Sequence, residues 1–506
     1  MESSRVLVLC FDPLTEAMPG PAIRAWHLSL ELAGAGHQVV LAGTAGATRT
    51  SPLPGLDVRA VTGGADLDEL AGCCDAIFAP TSVVRRHPVV VACGRPLCID
   101  MYIPTHLENL EPQAGEAGGA DHVAAVEHQV SVIDDDLGGG DFFLCASERQ
   151  RDFWLGSLAA VGRVNPDTYA GDPSLRSLID VVPFGLDPAP TPSPEEGREV
   201  LRATFPAIGA ADPVLVWGGG VYNWFDPLSL IEAVDRLRTD RPALRLVFLG
   251  MRNPNPGIPE MSMAVATREL AGRLGLTGRH VFFNEGWVPY DRRGGYLAGA
   301  DVAVSTHQSH IETRFSFRTR VLDYLWAGLP MVLTGGDTLS DGIAEAGLGV
   351  AVPAGDPGAI AAAIAALLDA PPERAAVQAY GERYAWGSVA GPLLQWAARP
   401  VAAADRERAR RRPLSGPPSE PVVATGREEP GATGREEPGA TGREGSGATR
   451  RGGRVEAAAR GLARRVPAPV RRRLAASVPG RLAPSVRRRL AGATRWWPRA
   501  AGPPGD

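Results

Sequence analysis

Two stretches of this 506-residue chain share one pattern. RVLVLCFDPLTEAMPGPAIRAWHLSLELAGAGHQVVLAG, residues 5–43, opens with an apolar run, turns through Gly and Pro, and continues with Ile23, Trp26, Leu30 and Ala33 at helical spacing. Gly34 and Gly36 stop that helix before a second apolar run at Val39-Val40-Leu41. PVLVWGGGVYNWFDPLSLIEAVDRLRTDRPALRLVFLG, residues 213–250, repeats the order with Gly218-Gly219-Gly220 in the turn and Leu228, Ile231, Val234 and Leu237 on the helix. A continuous apolar run is the mark of a strand buried on both faces. A strand, helix, strand succession then forces a parallel sheet covered by helices. Further short apolar runs follow each unit, at 76–78, 97–99 and 142–144, then at 281–283, 302–304 and 331–333. The chain is therefore expected to form two doubly wound α/β domains facing each other across a cleft lined by the carboxyl ends of their strands.

The boundaries follow from composition. Residues 1–189 form the first domain, and 190–399 the second, closed by a last helix within 382–396. TGREEPGA at 425–432 recurs at 433–440, so 400–452 reads as a disordered linker. Residues 453–506 form a basic tail in which VRRRLA occurs at 470 and 486. Residues 450–506 hold 15 arginines against only Glu456 and Asp506, while the whole chain has a formal charge of −5, so the body is acidic. The tail reads as a basic amphipathic surface for an anionic membrane. The alternative is a basic arm with no specific role, and nucleic acid ranks last. The six cysteines show no metal-finger or C-x-x-C spacing and read as buried thiols of a cytoplasmic protein. Neither a signal peptide nor an apolar run of membrane-spanning length is visible.

The chemistry concentrates in HIETRFSFRTRVLDYLWAGLP, residues 310–330. Ser316 or Thr319 could cap a helix that Gly328 ends before Pro330. Asp323 near its start is suited to accepting ribose hydroxyl hydrogens. Arg314, Arg318 and Arg320 suit a diphosphate, with Arg318 favoured. Glu312, in the loop ahead of the helix, could take hydroxyls of a second sugar ring. One ligand, a nucleoside diphosphate sugar, answers both signs of charge; the plain alternative is an exposed helix with an Arg320–Asp323 ion pair.

This segment resembles the C-terminal site of glycosyltransferase family 4 enzymes, which have the GT-B fold. Asp323-Tyr-Leu-Trp-Ala-Gly-Leu-Pro-Met-Val looks like the family's ribose-binding helix, GWVPY at 286–290 like the turn beside the base, and GPAIRAWHLSLELAGAGHQVVLAG like its first loop and helix. The resemblance spans about residues 5–395. It implies transfer of a sugar to an acceptor hydroxyl of a glycan or lipid-linked acceptor with retention, the leaving phosphate taking the acceptor proton. Glu312, His106 and Asp100 become the candidate catalytic residues. Asp323, Arg318, Arg314, Arg320, Arg252, Gly219, Gly220, Gly20 and Val288 become candidates for the donor. The chain departs from the family pattern in two respects. Glu312 and Asp323 are eleven apart instead of eight, and GGGVYNWFDP lacks the family's basic pair. A silent nucleotide-binding scaffold and a sugar-nucleotide epimerase of the same fold stay open. Asp134-Asp135-Asp136 and the pair His307, His310 lack the context of a metal site, so neither a catalytic metal nor a cofactor is expected.

Overall fold

The structure, a computed structural model, describes residues 3–411 apart from 17, 45, 62, 111–118 and 253–259. Both expected sheets are present. The first runs β1 (Arg5–Leu9), β2 (Gln38–Gly43), β3 (Leu56–Ala60), β4 (Ala76–Pro80), β5 (Leu97–Asp100), β6 (Phe142–Cys145) and β7 (Ile179–Val181), in spatial order β3-β2-β1-β4-β5-β6-β7. The second runs β8 (Val214–Gly220), β9 (Arg245–Gly250), β10 (Val281–Phe283), β11 (Val302–Ser305), β12 (Met331–Thr334) and β13 (Gly349–Val352), in order β10-β9-β8-β11-β12-β13. Every strand pair in both sheets is parallel. The strand order reverses between β1 and β4 and between β8 and β11, and such reversals leave a crevice at the carboxyl ends of the strands.

Tight packing fixes the helices around the second sheet. The helix Pro194–Thr204 crosses Arg293–Ala298 at two glycines, and a Cβ on Gly197 would lie 2.2 Å from the Gly299 backbone nitrogen. Backbone cannot yield as a side chain can. Gly197→Ala is therefore expected to destabilise the protein by about 1–3 kcal/mol, read as a lower thermal midpoint.

Two segments connect the lobes and lie side by side. The Leu186 amide donates to the Tyr384 carbonyl at 2.8 Å. After Tyr384 the chain returns to the first lobe: Trp386 stacks on His27 (5.1 Å between centroids) and Trp396 on Phe142 (6.1 Å). The closing helices Trp386–Val389 and Gly391–Ala398, grouped from sequence with the second domain, thus cover the helix Gly20–Gly34 of the first.

Residues 400–411, expected as the start of a disordered linker, are part of the described structure. They are ordered and end in a short helix, Arg406–Ala409. Asp405 accepts from Arg163 (Nε 2.9 Å, Nη2 3.0 Å) and from Asn165 Nδ2 (2.8 Å), and both ion-pair side chains are 1% exposed. Asp141 accepts from the Ala403 amide at 3.0 Å and from Arg406 Nε at 2.7 Å. Charge without apolar residues looked like solvated chain, but here the charges meet partners in the first lobe. The repeats from 412 to 452 and the basic tail 453–506 lie outside the described residues. Among the cysteines, Cys10, Cys74, Cys98 and Cys145 are buried as expected, whereas Cys73 is exposed and Cys93 half-buried.

Candidate donor site

The crevice of the second sheet is built from the end of β8 and the segment after β11. Gly219 has φ +80°, a left-handed conformation that favours glycine, and it turns the chain sharply out of β8. Tyr324 fastens the two strands: its hydroxyl accepts from the Gly218 amide at 2.8 Å and donates to the Val304 carbonyl at 3.1 Å. Beside this turn lies a small open cleft lined by Gly220, Tyr222, Met251, Arg252, Glu260 and Trp287. Trp287 covers Gly220 and Gly250 so closely that a Cβ on either would come within 3.2 Å of its ring. Val288, the expected residue beside a base, is half-buried against the core, and its neighbour Trp287 supplies the flat wall.

Behind the turn two arginines are packed into the protein. Arg318 is the N-cap residue of the helix Thr319–Trp326, with no side-chain cap from Ser316 or Thr319. Arg318 is 6% exposed and Arg320 8%. Both guanidinium groups lie over the Phe225 ring, at 5.1 and 4.1 Å from its centroid, and Arg320 also covers Trp217 at 4.9 Å. Burial pushes the Arg320 guanidinium down to about 10, so it stays a cation at neutral pH. Arg320 Nη2 donates to the Gly220 carbonyl at 2.7 Å. Glu312, expected in a loop, belongs to a short helix, Ile311–Phe315, is fully buried, and meets Arg318 Nη2 at 2.5 Å.

Four buried side chains here each keep a polar atom with no hydrogen-bond partner among the described residues: Arg318 Nε, Arg320 Nη1, Glu312 Oε1 and His307 Nδ1. His307 lies 5.6 Å from the Phe225 ring and is held neutral by burial first, then by Arg318 and Arg320. Each such atom costs about 1–3 kcal/mol until something bonds it. Arg318 is paired with Glu312, Arg320 is in no ion pair among the described residues, and their free N–H groups suit a diphosphate.

The remaining expectations divide. Arg252 is 67% exposed and lies 3.6 Å from Glu260, at the rim of the cleft. Arg314 is exposed over Phe315 and does not join the buried pair. Asp323 is half-buried, and burial, foremost, pushes its carboxyl up to about 6. Its partner is Arg293 at 3.0 Å, not Arg320, and the same Arg293 nitrogen lies 3.5 Å from Asp187 in the segment joining the lobes.

In the first lobe, Gly20 opens its helix close to Tyr102, whose hydroxyl would lie 3.8 Å from an added Cβ. Asp100 does not offer a free carboxylate. Arg24 takes both oxygens, Nε–Oδ2 at 2.6 Å and Nη2–Oδ1 at 3.0 Å, while Arg24 also donates to the carbonyls of Val182 and Pro183. That arrangement ties the first helix to the sheet and gives Asp100 a structural task. His106 is half-buried and stacked on Phe153 at 5.6 Å, with Nδ1 unpartnered and its basicity lowered by burial. Glu108, two residues on, was not singled out from sequence. Burial, then Glu312 across the interface, pushes its carboxyl up to about 7, with Arg318 opposing. The acidic triplet falls in the last turns of the helix Ala120–Gly139; Asp135 pairs with Arg85, and Asp136 accepts from the Ser82 and Val84 amides.

The first lobe closes over these groups. Gln150 Nε2 donates to the carbonyls of Tyr102 (2.9 Å) and Phe315 (2.7 Å), Arg149 Nη1 to that of Gly336 (2.6 Å), and Phe153 packs on Phe315 at 4.7 Å.

Residues 212–370 match the family described as Glycosyl transferases group 1. No curated protein sequence matches the chain. Among solved structures, Anabaena HepE in complex with UDP-glucose superposes with TM-score 0.56 at 15% identity, over 78% of this chain and 98% of that one. Sucrose-phosphate synthase from Thermosynechococcus elongatus gives 0.53 at 16%, over 77% and 97%. A Rickettsia africae glycosyltransferase gives 0.53 at 11%, over 78% and 98%. At these identities the likeness is one of fold, and the fold is GT-B. The matched domain and this fold together support a glycosyltransferase enzyme.

Proposed function

We propose that the chain is a retaining, family 4 type glycosyltransferase that moves a hexose from a nucleoside diphosphate sugar to a hydroxyl of a glycan or lipid-linked acceptor in cell-envelope polysaccharide or glycolipid assembly. The observation that carries this reading is the pair of buried arginines with unpartnered N–H groups at the β8/β11 reversal. The neighbour HepE, solved with UDP-glucose and with UDP, supports the donor class. In this reading Arg318 and Arg320 hold the diphosphate, Trp287 and Tyr222 flank the base, and Asp323 accepts the ribose hydroxyls. Glu312 contacts the sugar. The anomeric carbon leaves the phosphate oxygen and bonds the acceptor oxygen on the same face, and the acceptor proton passes to the departing phosphate. The protein contributes placement and charge stabilisation. Charge on the leaving group is met by guanidinium groups, so the reading uses no metal, and EDTA is expected to leave turnover unchanged.

In this reading the enzyme works in the cytoplasm, with the basic residues 453–506 as its surface for the inner face of the membrane. Among the described residues no helix is long and apolar enough to cross a membrane. A silent scaffold remains the second reading, favoured by the sealing of Glu312 against Arg318.

Thermal-shift measurements of the full chain with UDP, GDP, dTDP and ADP test the donor site. One nucleotide is expected to stabilise the wild type and to lose that effect in Asp323→Ala. Because the Asp323 carboxyl sits at about 6 and accepts hydroxyl hydrogens best when ionised, the stabilisation grows as pH rises from about 5 to about 7. It flattens over that range in Asp323→Asn. No shift with any nucleotide in the folded wild type would overturn the reading.

A further inference from the structure

We infer that the donor site selects a sugar that is neutral and presents a free hydroxyl to His307 Nδ1, beside the sugar contact that the reading above gives to Glu312. This rests on the nucleotide-sugar reading above and deepens it from the nucleotide to the sugar. Both side chains are more than nine-tenths buried, and both atoms lack a partner among the described residues. Neither side chain is free to turn away. The His307 amide donates to Thr334 Oγ1 at 2.9 Å, its Nε2 meets Ser305 Oγ at 3.3 Å, and its ring packs by Phe225. The second Glu312 oxygen is fixed on Arg318. His310, near His307, keeps a third unpartnered atom, Nε2.

The chemistry of these atoms restricts what they can hold. His307 is a neutral imidazole, and the Ser305 hydroxyl can donate to Nε2 or accept from it, so Nδ1 is free to accept or to donate. A hydroxyl is the complement of both forms. A uronic acid would bring a carboxylate toward Glu312, whose charge already answers Arg318. A deoxy sugar would leave a buried polar atom unpaired, and sites built to bond a hydroxyl reject analogues lacking it by large factors.

The test uses the full chain and the nucleoside diphosphate that binds among UDP, GDP, dTDP and ADP. Its glucose conjugate, the monodeoxy forms of that conjugate and the glucuronate conjugate are titrated by calorimetry. At least one monodeoxy form and the glucuronate are expected to bind about tenfold or more weaker than the glucose conjugate. His307→Phe keeps a flat ring and removes both nitrogens, so one monodeoxy penalty falls to about onefold there, while His307→Asn, which retains a polar edge, keeps part of it. Equal binding of all conjugates by the wild type, or an unchanged deoxy penalty in a folded His307→Phe, overturns the inference while nucleotide binding still stands. If none of the nucleotides binds, the reading and the inference fall together.

Discussion

Arg318→Ala is expected to weaken donor binding by at least about a hundredfold, the largest functional effect in the protein. Two losses coincide. The diphosphate loses a buried guanidinium, and hydrogen bonds to charged groups contribute about 1.5–3 kcal/mol each. The fully buried Glu312 carboxylate also loses its counter-charge, and breaking a buried pair from one side costs about 3–5 kcal/mol. Arg318→Lys is not expected to rescue binding, because an ammonium cannot both meet Glu312 and cover Phe225 as the planar guanidinium does. Calorimetric titration of the nucleotide measures the effect, and Arg314→Ala, at an exposed position outside the buried pair, is the control expected to stay within about twofold.

The second large effect is on stability and lies far from the donor site. Asp405→Ala should destabilise the first lobe by about 3–5 kcal/mol, because it leaves the Arg163 guanidinium 1% exposed without its carboxylate. Arg163 keeps the carbonyls of Leu137 and Gly140, which satisfy Nη1 but not the charge. Differential scanning calorimetry should show the midpoint lowered by several degrees. A chain cut after residue 400 loses Asp405 and Arg406 together and should fall at least as far. Donor-binding experiments on such a fragment would confound folding with affinity.

Much of the architecture was legible because it rests on local signals. The two strand, helix, strand units are written in apolar runs and glycine stops. The end of the donor helix at Gly328, with φ +70°, follows from its Gly-Leu-Pro. The alternation of charge and aromatics in HIETRFSFRTR singles out a segment whose Glu312 and Arg318 pair and whose Arg318 and Arg320 lie over one ring. What was hidden is pairing over long distances in sequence. Asp100 looks available until Arg24, distant in sequence, takes both its oxygens. Asp323 looks like a partner for Arg320 three residues away, yet it meets Arg293. Arg293 lies in the sequence DRRGG, which gives no local reason to single it out. His307 drew attention only as a metal ligand; its place beside Phe225 depends on a bridge between the segments after β8 and β11. Glu108 is made a weaker acid by burial and then by the Glu312 carboxylate of the other lobe, which no local pattern encodes. The segment 400–411 misled through composition, because ion pairs hold it in place of apolar burial.

The proposed function requires this cleft to break a sugar–phosphate bond. The most direct measurement is nucleoside diphosphate release by the full chain from the UDP, GDP, dTDP and ADP conjugates of glucose, with lipid and glycan extracts as acceptors, in wild type and Arg318→Ala. Release is expected from one nucleotide's conjugate, dependent on an acceptor and on Arg318, with the sugar appearing in the extract in its original anomeric configuration. Tight binding without release above the Arg318→Ala background would contradict it and leave a nucleotide-binding scaffold, while an epimerised sugar formed without acceptor would make the protein an epimerase.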